Sequence, residues 1–150
     1  MNTAVVYFSS HHQNTKKIAK VLAGGLKAKL FKFTDAKVND MKKYDLIGFG
    51  SGIYFMKHSQ LILDFVDSLP MQKGKKAFIF STSGSGFDRL AHRDLRKKLV
   101  AKSFNVVGEF ACRGYDNYGL LRYIGGINKS RPNGKDQANA VKFAKSLIRK

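Results

Sequence analysis

The sequence predicts an α/β fold in which five parallel strands form one sheet with helices on both faces. Three observations carry this expectation. Short apolar runs rich in β-branched and aromatic residues alternate with segments whose apolar residues recur at helical spacing. Two of those runs, DLIGFG at 45–50 and the run at 77–81, are too apolar throughout to leave one face in water. At 150 residues the chain has the size of one α/β domain. No repeat, low-complexity tract or Pro/Ser-rich linker divides it, so residues 1–150 read as a single domain.

A first strand at 4–8 leads into a polar loop and then a helix. Ile18, Val21, Leu22, Gly25 and Leu26 fall on one face of that helix, and Asn14 or Thr15 caps its start. A short second strand follows at 30–33 and a third at 45–50. Ser59 caps the next helix, which turns Leu61, Ile62, Phe65, Val66 and Leu69 inward and stops at Pro70. A fourth strand at 77–81 is broken by SGSG at 83–86. Leu90, Leu95, Leu99 and Val100 sit on a strongly basic helix. The fifth strand, 104–111, has Gly108 and Glu109 as its weak points. A Gly- and Tyr-rich loop covers 113–134, and a last helix from Asp136 carries Ala140, Val141, Ala144, Leu147 and Ile148 on one face. Strands joined through helices imply right-handed crossovers.

Charge is the unusual feature. Lys and Arg total 28 against 10 Asp and Glu, a net +18, which favours encounter with anionic ligands, acidic proteins or anionic lipid. No apolar run is long enough for a transmembrane helix. The start, MNTAVVYFSS, reads as a strand and not as a signal peptide, and a single cysteine, Cys112, allows no internal disulfide. A cytoplasmic protein is the expectation.

Ligands of such sheets bind beyond the carboxyl ends of the strands, and three loops there carry candidate chemistry. FSSHHQNTKK places hydroxyl, imidazole and amide groups before a helix N-terminus, a site for a phosphate, with Ser10, His12, Asn14 and Thr15 as donors. The alternative is an ordinary polar turn. In GFGSGIYFMKHS, glycines 48, 50 and 52 let backbone approach a flat ligand, and Tyr54 and Phe55 can stack on a ring. Those glycines equally suit a plain turn. FSTSGSGFD offers hydroxyls and N–H groups from Ser81 to Gly86 for the edge of a heteroaromatic ring.

Together these segments resemble the flavodoxin superfamily. Ser10-His11-His12-Gln13-Asn14-Thr15 is similar to its phosphate loop, S/T-x-T-G-N-T, with His12 in place of a threonine and Gln13 in place of a glycine. More closely, the chain resembles bacterial flavodoxin-family proteins of unassigned role that carry HHxNT, GSGIYF and FSTSG segments. These share a tail like CRGYDNYGLLRYIGGINKSRPNGKD, and the resemblance covers nearly the whole chain. It implies a flavodoxin-like three-layer sandwich of strand order 2-1-3-4-5 and one FMN bound noncovalently. The phosphate would lie on Ser10, His11, His12, Gln13, Asn14 and Thr15. The ring would lie between Ser51, Gly52, Ile53, Tyr54 and Phe55 on one side and Ser81, Thr82, Ser83, Gly84, Ser85 and Gly86 on the other. By family position Tyr54 is the stacking partner, with Phe55 the alternative.

The implied function is electron transfer or FMN-dependent oxidoreduction. Electron-carrier flavodoxins are usually acidic, so at +18 either the redox partner is acidic or anionic, or the protein does not shuttle between proteins in that way. A basic relative of the same fold, menaquinone-dependent protoporphyrinogen oxidase, supplies an alternative: a quinone-linked enzyme at the membrane surface. IYFMKHSQLILDFVDS looks somewhat like its second loop and helix, while its long insertion near the last strand has no counterpart here. The other alternative is a flavin-free binding module that uses the basic face.

The remaining candidates read more plainly. His11 and His12 lack a completing carboxylate or cysteine, and His58 and His92 belong to other elements, so phosphate contact or exposure is expected and no metal site. Cys112 reads as packing unless a helix end or Arg113 lowers its pKa. The basic run at 93–102 reads as a solvated helix face with a possible peripheral contact to anionic membrane. No motif for nucleic acid accompanies it, and no nucleic-acid partner is expected. Tyr115, Tyr118 and Tyr123, with their glycines, form either a lid over the flavin or an irregular packed loop. No side chain stands out as acid, base or nucleophile, and none is named catalytic.

Overall fold

The structure, a computed structural model, describes residues 1–9, 13–54, 56–84, 89–114 and 131–150. Its strands are β1 Thr3–Tyr7, β2 Lys29–Lys32, β3 Leu46–Tyr54, β4 Lys57–His58, β5 Lys76–Ser83 and β6 Asn105–Arg113. Its helices are α1 Asn14–Leu26, α2 Gln60–Asp67, α3 Arg93–Ala101 and α4 Gly134–Ile148. Five strands run parallel in the order β2-β1-β3-β5-β6, as expected, while the short β4 folds back antiparallel onto the end of β3. Among the described residues no helix is long and apolar enough to cross a membrane.

Strand pleating sends alternate residues to opposite faces, and each face has its own core. On one, Val6, Ile47, Phe49 and Ile79 pack with Phe65 and Val66 of α2 and Leu95 and Leu99 of α3. On the other, Val5, Phe78 and Phe80 pack with Ile18 and Leu22 of α1 and Ala140, Ala144 and Leu147 of α4.

The second face explains the β3 glycines. Gly48 and Gly50 stand directly opposite Phe78 and Phe80 of β5. A Cβ on Gly48 would lie 2.1 Å from Phe78 Cζ, and one on Gly50 would lie 2.3 Å from Phe80 Cε2. These two glycines accommodate neighbouring rings, not a ligand. Gly108 serves α4 in the same way, since its Cβ would meet Phe143 at 3.0 Å and Leu147 at 3.1 Å. It lies beside a bulge: Ala77 pairs with Val106 but Phe78 with Gly108, so Val107 is the extra residue in β6.

Several local expectations are corrected. Gln13, not Asn14 or Thr15, is the N-cap of α1, and its side chain makes no capping hydrogen bond. Ser59 does cap α2, accepting from Leu61 N–H at 3.2 Å. In that helix Leu61 faces solvent and Leu63 is buried in its place, while Ile62, Phe65 and Val66 are buried as expected. Leu90, Val100 and Ile148 also lie exposed, so the buried faces of their helices are narrower than the spacing suggests. The third, fourth and fifth parallel strands run further than their apolar runs, because each finds a partner past the last apolar residue. Glu109 is no weak point in β6; it pairs with Ile79. The last helix starts at Gly134, ahead of Asp136. Asn133 accepts from Asp136 N–H at 3.0 Å while the Asp136 carboxylate accepts from Asn133 N–H at 2.8 Å.

Two glycines, one in β3 and one in α1, should respond oppositely to a methyl group. Gly48→Ala should lower the free energy of unfolding by about 2–3 kcal/mol through overpacking against Phe78. Gly24→Ala, in α1 with nothing within 4 Å of its Cβ, should raise it by about 0.5–1 kcal/mol. Urea titrations of the two variants would measure both signs.

Candidate functional site

Parallel strands gather their carboxyl ends on one edge, and aromatic residues close three of them. Phe8 follows β1, its N–H donating to Gly50 O at 3.0 Å; Phe33 follows β2, its N–H donating to Tyr7 O at 2.8 Å. Phe8 meets Phe33 edge-on at 5.5 Å between ring centroids and Tyr54 at 6.3 Å. Phe33, Phe8 and Tyr54 thus form a row across the ends of β2, β1 and β3. Tyr54 also reaches back along its strand, for a Cβ on Gly52 would come within 3.0 Å of Tyr54 Oη. Phe8 and Phe33 are absent from the sequence-derived set, although an aromatic residue closing a strand is a readable signal.

The start of α1 is fixed to the same edge. Gln13 has φ 56 and ψ 28, the left-handed conformation that glycine adopts more easily, at the motif position where a glycine is usual. Thr15 Oγ1 lies 2.9 Å from Thr82 Oγ1, with both residues buried, so the first turn of α1 is tied to the end of β5. Gly114 closes the other side: its N–H donates to Ser83 O at 3.0 Å, and a Cβ there would sit 2.6 Å from Asn14 Nδ2. Ser9 Oγ accepts from Lys16 N–H at 3.2 Å. The fold therefore brings Gln13, Asn14 and Thr15 together with Thr82 and Ser83 at one end of the sheet that also carries Tyr54. Ser10, His11, His12, Phe55, Ser85 and Gly86 lie outside the described residues, as do Tyr115, Tyr118 and Tyr123.

Ser51 and Ser81 face the opposite side of the sheet from Gly52 and Thr82. They are paired across β3 and β5, and each is engaged by a buried histidine. Ser51 Oγ donates to Gly52 O at 2.7 Å and accepts from Ser59 N–H at 3.0 Å. Its contact with His58 Nδ1 at 2.9 Å is then an acceptance from Nδ1–H, which leaves Nε2 of His58 as a lone pair, buried and without a partner among the described residues. Ser81 Oγ lies 2.7 Å from His92 Nε2, and His92 Nδ1 lies 2.9 Å from Glu109 Oε1. Arg96 holds both oxygens of Glu109, from Nη2 at 2.6 Å and from Nε at 2.9 Å. The two imidazoles, separate in sequence, meet with ring centroids 5.0 Å apart. Of the hydroxyls expected at a ring edge, that of Ser81 is thus committed to this network and that of Thr82 to Thr15.

The model of the flavodoxin domain matches residues 5–123. The chain belongs to the flavodoxin family. It is 45% identical over 150 residues to an uncharacterized protein of Methanocaldococcus jannaschii, a match that covers 99% of each chain. Among solved structures, it resembles a flavodoxin from the domain Archaea, 19% identical with a TM-score of 0.71, over 98% of this chain and 96% of that one. It also resembles a Streptococcus pneumoniae flavodoxin, 16% identical with a TM-score of 0.73, over 97% of each. At such identities these two likenesses establish the fold.

Titration in this flavodoxin follows burial and pairing. Burial, reinforced by the His92 charge, holds His58 well below the ordinary histidine value. For Glu109 burial acts upward, but the hydrogen bonds and charges of Arg96 and His92 outweigh it and hold the carboxyl below the usual range. Burial pushes the Cys112 thiol up to about 12, with Asp136 adding to the rise and Arg131 opposing it. Cys112 is therefore a packing residue that stays protonated, and Arg113 does not activate it.

His58 gives a pH signature. In the unfolded chain it protonates near 6.5, whereas in the fold it stays neutral to lower pH, so stability falls as pH drops below 6.5. The Glu109 contribution is lost only below 4.5. Urea titrations between about pH 7 and about pH 5 should show stability changing less favourably on acidification in the parent than in His58→Asn.

Proposed function

We propose that this flavodoxin binds FMN noncovalently at the carboxyl edge of its sheet and acts as a redox protein. One observation carries the reading: a left-handed Gln13 opens α1, whose first turn is tied through Thr15 and Thr82 to β5, at the edge that also carries the Phe33–Phe8–Tyr54 row. A helix N-terminus offers N–H groups without acceptors inside the helix and a positive end, both suited to a phosphate. A left-handed residue just before it turns successive N–H groups towards an anion. Gln13, Asn14 and Thr15, with Ser10, His11 and His12 preceding them, are the residues that would hold it.

The ring would rest against Tyr54, with Ser51, Gly52, Ile53 and Phe55 on its own side and the segment Thr82, Ser83, Gly84, Ser85 and Gly86 along its polar edge. Ser81 would contribute through its backbone, since its hydroxyl is taken by His92. When bound, the flavin supplies the electron-accepting chemistry, and the protein sets its affinity, environment and access. With a net charge of +18, the partner that exchanges electrons with it is acidic or otherwise anionic.

Flavin absorption in the purified protein, or saturable micromolar binding when FMN is added, is the expected result. The double change Asn14→Ala and Thr15→Ala should weaken that binding by about tenfold or more. A protein that stays colourless through the titration would overturn the proposal.

A further inference from the structure

Ser81, His92, Glu109 and Arg96 form an unbroken line across the α2/α3 side of the sheet. One end touches water: the Arg96 and Glu109 side chains are 25% and 16% exposed. The other end does not, for Ser81 and His92 are 1% and 0% exposed. The same order of groups serves acyl transfer in hydrolases, but a serine this buried admits no substrate.

Charge orients the protons along the line. Glu109 is a carboxylate bound on both oxygens by Arg96, so it accepts from His92 Nδ1–H. Neutral His92 then presents a lone pair at Nε2, and the Ser81 hydroxyl donates to it. A second proton on His92 reverses this bond: Nε2–H donates to Ser81 Oγ, and the hydroxyl hydrogen turns to another acceptor. The protonation state of His92 is thereby converted into the polarity of a hydroxyl at the carboxyl end of β5, one residue before Thr82.

The described groups that face His92 favour that second proton on balance. Glu109 from β6 attracts it. Arg96 and the N-terminus of α3, where His92 stands, oppose it, although the Arg96 charge is already matched by Glu109. His58 from β4 has no carboxylate of its own, and two imidazoles 5.0 Å apart in a buried setting do not both carry charge. An additional proton taken up by the pair therefore goes to His92, the imidazole beside a carboxylate.

We propose that His92, acting through Ser81, is a positioning residue that couples proton uptake to electron uptake at the ring-binding edge. The proposal rests on the FMN reading given above. Electrons delivered by an acidic redox protein make the edge more negative. One proton from water adds to Nε2 of His92, the nitrogen that carries the lone pair, while Nδ1–H stays bonded to Glu109. No bond to carbon is made or broken. The charge of His92 and the redirected Ser81 hydroxyl then both favour the reduced state. By linkage, reduction must tighten the hold of His92 on its proton to the same extent.

The test uses the full chain loaded with FMN. Imidazole NMR titrations of His92 would be recorded with the flavin oxidised and chemically reduced. Midpoint potentials would be measured from about pH 5 to about pH 8 in the parent, His92→Gln and Ser81→Ala. The expected result is a His92 titration midpoint at higher pH in the reduced protein, with a shallower dependence of potential on pH in both variants. FMN affinity of His92→Gln should stay within about threefold of the parent. An identical His92 midpoint in both oxidation states, or an unchanged slope in a folded His92→Gln, would overturn the coupling while leaving FMN binding intact. Failure of the parent to bind FMN removes the underlying reading and the coupling with it. Should His92→Gln not fold, the parent titration and Ser81→Ala decide.

Discussion

The pleat of a sheet covered on both faces is the constraint from which the rest of this molecule follows. Successive residues of β3 and β5 must point to opposite layers. At the carboxyl ends this separates two sets of polar groups that are adjacent in sequence. Ser51 and Ser81 turn to the α2/α3 layer and meet His58 and His92. Gly52 and Thr82 turn to the α1/α4 layer, where Thr82 meets Thr15. One strand end therefore makes two connections, a tie to the helix that opens the proposed phosphate cradle and a buried line of serine and histidine on the other face. A slip of one residue in register would exchange the two sets and abolish both.

The acidic residues are used sparingly and in particular places. Against a net charge of +18, Glu109 and Asp136 are each enclosed and each held by an arginine, Arg96 and Arg131 respectively. Enclosed ion pairs gain little over apolar packing, yet removing one partner leaves a costly charge behind. Asp136 uses its position to close the capping box of α4. Glu109 instead joins β6 to His92 and Arg96, at and within the start of α3.

Much of the architecture was legible because it depends on local pattern. Alternating apolar runs and helical spacings identify every parallel strand and every α-helix, and three separate loop segments point to one edge. The misreadings share a physical cause, which is dependence on a neighbour distant in sequence. Gly48 and Gly50 look like ligand-approach glycines until register places Phe78 and Phe80 across from them. Leu61 and Leu63 are equally apolar, and only the direction from which the sheet approaches α2 decides which is buried. His58 and His92 lie on elements that nothing local relates, and the fold of β4 onto β3 brings them together. Thr15 looks like a cap because threonines often are, but a threonine on β5 takes its hydroxyl.

Backbone strain distinguishes the two edges of the sheet. Among the described residues, four other than glycine have positive φ: Gln13, Lys27, Met56 and Ser103. Lys27 follows α1 and Ser103 follows α3, and each finishes its helix with hydrogen bonds in return: Lys27 N–H to Gly24 O and Ser103 N–H to Val100 O. Both therefore belong to ordinary helix termination at the amino edge. Met56 turns the chain between β3 and β4, which returns His58 to the core. Gln13 bears a comparable cost, about 1 kcal/mol, without a side-chain cap to offset it. It does so where the proposed phosphate cradle requires the chain to bend sharply into a helix. A left-handed residue at the edge where the Thr15–Thr82 tie and the aromatic row also converge is what a preorganised anion site would require.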